Sequence, residues 1–136
     1  MKYLTLTIAV TFLSLNIIAA DHEEPKGIGG LVSSEIFDLA GEMDLHVEKY
    51  QSCGDSPNQK HYHPVGTLVY IINGKAASNS SGEWKTYTDV SYWFEPSMWK
   101  HGGTDINEPK FGDDQCTENL VIRVSRKDEE PTVFIE

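Results

Sequence analysis

Apolar residues in this chain recur at every second position or in short runs, and no stretch past residue 20 keeps a helical period over ten residues. Met43-Asp44-Leu45-His46-Val47-Glu48 alternates apolar with polar, which predicts a half-buried strand. In that register His46 shares the polar side with Asp44 and Glu48, so a solvated histidine is expected there. Residues 51–60 hold Gly54, Pro57 and Asn58 and read as a loop. From His61 the chain runs through the β-branched segment Val65 to Ile72 as one predicted strand, which Asn73-Gly74 ends with a strong turn signal. Further strands are predicted at Lys75–Ala77, Trp84–Thr88, Ser91–Glu95 and Asn119–Arg126, with a last one over Pro131–Ile135. Leu31 to Leu39 is weakly patterned, and both an edge strand and a short helix remain open. Many short strands divided by Gly, Pro and Asn turns indicate an all-β sandwich or barrel enclosing one cavity.

The opening segment belongs to a different category. Lys2 precedes an almost uncharged apolar run from Tyr3 to Ala20, and Asp21-His22-Glu23-Glu24 follows at once. A basic start, an apolar centre and small residues at Ala19 and Ala20 predict an export signal over residues 1–20, with an uncleaved anchor helix as the competing reading. Residues 21–42 are then a lead-in with an edge strand, and residues 43–136 the working domain, secreted or periplasmic. The 21 acidic against 11 basic residues, a formal net charge of −10, disfavour nucleic acid and anionic membranes as partners. Two cysteines, Cys53 and Cys116, predict a disulfide in an oxidising compartment, worth about 4 kcal/mol for a loop of this length. A free thiol beside a metal site is the alternative, because Cys53 lies close to His61 in sequence.

The candidate chemistry lies in His61-Tyr62-His63. Two histidines one residue apart point the same way on an extended backbone, so together they can bind a divalent ion. A third histidine, His101, follows the stop at Pro96. With these residues in place the chain resembles a single-domain cupin over about Val47 to Val124. The first cupin motif is matched by Gly54, His61, His63 and Gly74, with six residues rather than five between Gly54 and His61. The second is matched by Pro96 and His101, while Val90 and Met98 stand where that motif has glycines.

The resemblance implies a double-stranded β-helix, the cupin jelly-roll barrel, whose histidines converge on one metal ion. Among iron, manganese, zinc, nickel and copper, Fe2+ is the first expectation, and pairing as a homodimer is common in the family. One departure matters, since the glutamate expected four residues after His63 is Thr67. Three readings stay open: a three-histidine site as in the dioxygenase branch of the family, a carboxylate supplied from elsewhere, or a pocket without metal. For the second, Glu83 at the start of the strand after Ser80-Ser81-Gly82 is favoured. Glu95 is placed second, as a solvated residue at the rim. Trp93 and Tyr70 are expected in the core, and Trp99 at the cavity rim. The expected function is that of an exported metal-binding cupin, an iron-dependent oxygenase acting on a small organic molecule. The alternative is a non-catalytic sensor of a metal or small ligand.

Overall fold

The computed structural model describes residues 30–136, so the expected export signal over residues 1–20 lies outside the described residues. Among them there are nine strands and no helix. They are β1 (Leu31–Asp38), β2 (Met43–Cys53), β3 (His61–Tyr62), β4 (Thr67–Asn73), β5 (Lys75–Ser78), β6 (Lys85–Thr88), β7 (Tyr92–Glu95), β8 (Cys116–Arg126) and β9 (Val133–Phe134). The all-β class expected from the alternation is the one observed, and the open choice at Leu31 is resolved as a strand.

Five strands form one antiparallel sheet in the order β1-β2-β8-β4-β7, accompanied by the pairs β3-β9 and β5-β6. The long strands β2 and β8 pair without interruption from Met43↔Arg126 to Cys53↔Cys116. At that last rung Cys53 and Cys116 are joined by a disulfide, which fits an oxidising compartment. β2 therefore runs on into the stretch expected to be loop, because β8 supplies a partner for each of its residues.

The single strand expected from His61 to Ile72 is instead two strands in two sheets. Pro64 offers no N–H to a ladder, and Gly66 leaves room for the Phe94 ring, which a Cβ at Gly66 would meet at 2.3 Å. The chain bends between these residues, so β3 pairs with β9 while β4 joins the large sheet. Gly74 closes the next turn at φ 96°, where a Cβ would lie 2.3 Å from the Cys116 carbonyl oxygen.

Register assigns the two faces of the large sheet. Arg123 lies opposite His46 on one side and Thr67 on the other, and Thr67 lies opposite Glu95. All four are buried. One rung along, Glu48, Val121, Val69 and Trp93 face the same way, followed by Tyr50, Asn119 and Ile71. This inward face holds the small apolar core of Val69, Ile71 and Trp93, packed against Ala76, Tyr87 and Val121. Tyr70, expected in the core, points to the other face and is half-buried.

The solvated His46 expected from the alternation is also overturned, since only 8% of it is exposed and its Nε2 lies 2.9 Å from Ser125 Oγ. Glu48 is buried with it, bonded to Arg123 and Tyr50. On β2 it is the polar residues that look inward.

Candidate metal centre

His61 is held in β3, and a short bridge ties it to His101: each backbone N–H of the pair donates to the other's carbonyl at 2.9 Å. His63 follows two residues later, and its carbonyl accepts from Met98 N–H at 2.8 Å. Ser97 Oγ donates to the Pro64 carbonyl. The Pro96–His101 turn is thus bonded along the β3 segment, and this brings the three histidines together. Their ligating nitrogens all lie within 4.8 Å of one another, with His61 and His63 buried and His101 half-buried. A cluster of this composition can hold a metal ion.

The ring tautomers follow from the partners. Nδ1 of His61 faces the Gln59 carbonyl at 2.7 Å, Nδ1 of His63 the Pro131 carbonyl at 3.0 Å, and Nδ1 of His101 the Trp99 carbonyl at 3.1 Å. A carbonyl can only accept, so each Nδ1 carries a proton, and in a neutral ring Nε2 then presents its lone pair. This is the arrangement that orients imidazole ligands at metal centres. Burial, then the neighbouring His101, push the His61 imidazole down to about 4. Burial also lowers His101, against the opposing pull of Glu95. His61 and His101 therefore stay neutral near pH 7, the form in which they can coordinate.

A carboxylate joins them, and it is Glu95. Its Oε2 lies 3.3 Å from His63 Nε2 and 3.5 Å from His101 Nε2. Its Oε1 accepts from Trp93 Nε1 at 2.9 Å, which fixes the plane of the group. Burial alone would raise the Glu95 pKa, but the contacts with His63 and His101 and the Trp93 bond outweigh it and lower it. The two separations suit ligands around one ion at about 2.1 Å, whose tetrahedral edge is about 3.4 Å.

Glu95 is also the direct cross-strand partner of Thr67. A carboxylate thus stands beside Thr67 on the neighbouring strand at the same height, since opposite residues have Cβ atoms roughly 5 Å apart. Glu83, the carboxylate favoured from the sequence, is exposed and lies just before β6. The sequence puts Glu95 at a solvated rim, yet only 6% of it is exposed. The signal that could have found it is the alternation of Tyr92-Trp93-Phe94-Glu95, which puts Glu95 on the same face as Trp93.

The cluster opens into a cavity of about 260 Å³. Trp84, Trp93 and Trp99 line it, and Trp99 stacks on His101 with ring centroids 4.4 Å apart and planes 12° off parallel. The expectation of Trp99 at the cavity is met, and Trp93 serves both the core and the cavity wall.

Against known proteins, no family model matches the chain, and no curated protein sequence matches it. Solved structures do resemble it. The polyketide cyclase RemF from Streptomyces resistomycificus is 17% identical, with 79% of this chain and 75% of that one covered, at a TM-score of 0.46. An uncharacterized protein with a double-stranded β-helix domain from Klebsiella pneumoniae is 14% identical over 85% and 89%, at 0.48. A cupin-like protein from Thermotoga maritima is 11% identical over 84% and 89%, also at 0.48.

Proposed function

We propose that this chain binds one divalent metal ion through His61, His63, His101 and Glu95, and that it is an iron-dependent oxygenase of a small organic molecule. One observation carries the metal: three lone-pair nitrogens and a carboxylate oxygen converge while every Nδ1 proton is committed to a backbone carbonyl. Electron-rich atoms gathered this closely are stabilised by a cation among them. Three imidazoles and one carboxylate suit several first-row ions, iron among them.

Iron, when bound there, supplies redox chemistry between dioxygen and a reduced organic substrate. The chain's own residues do the rest. The carbonyls of Gln59, Pro131 and Trp99 hold the imidazoles in one tautomer. Trp93 fixes the Glu95 plane, and the tryptophan-lined cavity takes the substrate beside the cluster. The disulfide and the apolar run at residues 3–20 support an exported protein with its signal at residues 1–20.

Elemental analysis of the purified domain tests the metal, and oxygen uptake after ferrous loading tests the reaction. We expect about one ion per chain, lost in His101→Ala, weakened in Glu95→Gln and retained in Glu83→Gln. No bound metal under any loading would overturn the site. Stoichiometric metal without oxygen uptake on any of a broad set of substrates would overturn the oxygenase.

A further inference from the structure

The cavity has a second polar wall that the metal centre does not use. Tyr50, Asn119 and Arg123 line it together with the three histidines and Glu95. Arg123 has only 2% of its side chain exposed, and its Nη2 donates to Glu48 Oε2 at 2.6 Å. Tyr50 OH donates to the same oxygen at 2.8 Å. Glu48 is not among the lining residues; its carboxylate holds a guanidinium and a phenol in place. Burial first, and then the Glu48 charge, push the Tyr50 hydroxyl well above its ordinary pKa, so it keeps its proton.

Two enclosed atoms of this wall have no hydrogen-bond partner among the described residues: Arg123 Nε, a donor, and Asn119 Oδ1, an acceptor. Buried polar atoms are nearly always paired, and an unmade donor in a guanidinium this enclosed is costly. The wall also stands at a definite distance from the metal centre. Arg123 pairs with Thr67 and Thr67 with Glu95, so two strand spacings, roughly 10 Å, separate the Arg123 and Glu95 backbones. Between them Val69, Val121 and Trp93 line the space, and the chain's three tryptophans all border it.

We propose that Arg123, positioned by Glu48, anchors an oxygen of a small planar ligand: an aromatic ring bearing a hydroxyl or carboxylate, whose other end reaches the histidine cluster. The ring takes the tryptophan-bordered space, where flat apolar surfaces favour flat partners. Arg123 supplies fixed donors to an oxygen acceptor, and Asn119 accepts from a ligand hydroxyl. A void of about 260 Å³ lies just below the usual range for drug-sized ligands and suits one or two rings. The direction of the ligand rests on the metal-centre reading; the Arg123 anchor does not.

Calorimetric titration of metal-free and zinc-loaded protein with 2-hydroxybenzoate, benzoate, phenol and cyclohexanecarboxylate tests the anchor. The aromatic probes should bind at least tenfold more tightly than cyclohexanecarboxylate. The benzoate and phenol arms tell carboxylate from hydroxyl recognition. The double substitution Glu48→Gln with Arg123→Met removes both charges, so neither is stranded. It should weaken aromatic binding at least tenfold with zinc stoichiometry unchanged, and Arg123→Lys, which keeps the charge without the fork, should fall between.

If the double variant does not fold, Arg123→Lys and Asn119→Leu carry the same comparison. Equal affinity in wild type and variants, or no aromatic binding to folded, zinc-loaded protein, would overturn the anchor while leaving the metal centre intact. Arg123-dependent binding to protein that takes up no zinc would overturn the metal centre and leave the anchor standing.

Discussion

The two faces of the five-stranded sheet contrast in a direction opposite to the usual one. Inward it presents His46, Glu48, Tyr50, Arg123, Ser125, Thr67 and Glu95 around a small apolar core. Outward it presents Leu45, Val47, Leu68, Tyr70, Leu120, Ile122 and Val124, ending on β7 in Tyr92 and Phe94, 66% and 56% exposed. A sheet that encloses a site needs charges and hydrogen-bonding groups inside. Those groups are tolerable only because they are bonded to one another: Glu48 to Arg123 and Tyr50, Glu95 to Trp93, and His46 with Ser125. Alternation therefore marks two faces reliably, but polarity does not say which of them looks inward.

The adjacent residues Arg123 and Val124 test this contrast most sharply. Arg123→Met should destabilise the domain by about 3–5 kcal/mol, because Glu48 would be left buried without its partner. Urea unfolding would measure it, and a loss below about 1 kcal/mol would mean that the inward pair is not the structural element described.

The second expected effect depends on pH. His61 is lowered from its ordinary value to about 4. Between pH 6.5 and 4 the unfolded chain therefore binds a proton that the folded, metal-free protein refuses. Stability should be full above pH 6.5 and fall as pH drops toward 4, by no more than about 3 kcal/mol from this group. Glu95, also lowered, adds a loss of the same sign at the acid end. The urea midpoint of metal-free protein across this range should slope less in His61→Gln; an unchanged slope would assign it to other groups.

A smaller effect, of opposite sign, is expected at Val90. This β-branched residue sits at φ 63° and is 73% exposed. L residues with a branched side chain are strained there. Val90→Gly should stabilise the domain by about 1 kcal/mol, visible as a raised melting temperature, and a lowered one would show that the side chain does work the structure does not reveal. Smallest of all, Val124→Thr on the outward face should change stability by no more than about 0.5 kcal/mol in the same unfolding assay.

Much of the site was legible in the sequence. His61, His63 and His101 announce themselves by spacing, and two cysteines leave one pairing. The carboxylate was harder. Glu95 reaches the histidines because β7 pairs with β4 in the register that sets it opposite Thr67, and a register between strands some 25 residues apart is not written in either strand alone. The sequence case for Glu83 rests on its position after a turn, but β6 begins only at Lys85 and Glu83 lies exposed in the bend before it. The inward turn of His46 was missed for a related reason. Its partner Ser125 lies 79 residues away, so only the β2–β8 pairing reveals that the polar set has company inside.

Val90 and Met98 stand where the cupin second motif has glycines, and they are the two described residues other than glycine with positive φ, each at 63°. Both places take a torsion angle that favours glycine, carried by side chains poorly suited to it. A search pattern spelled in glycines would pass over this chain at both positions. One spelled in backbone angles would find it, and chains that keep a shape while changing its letters are best sought in that second alphabet.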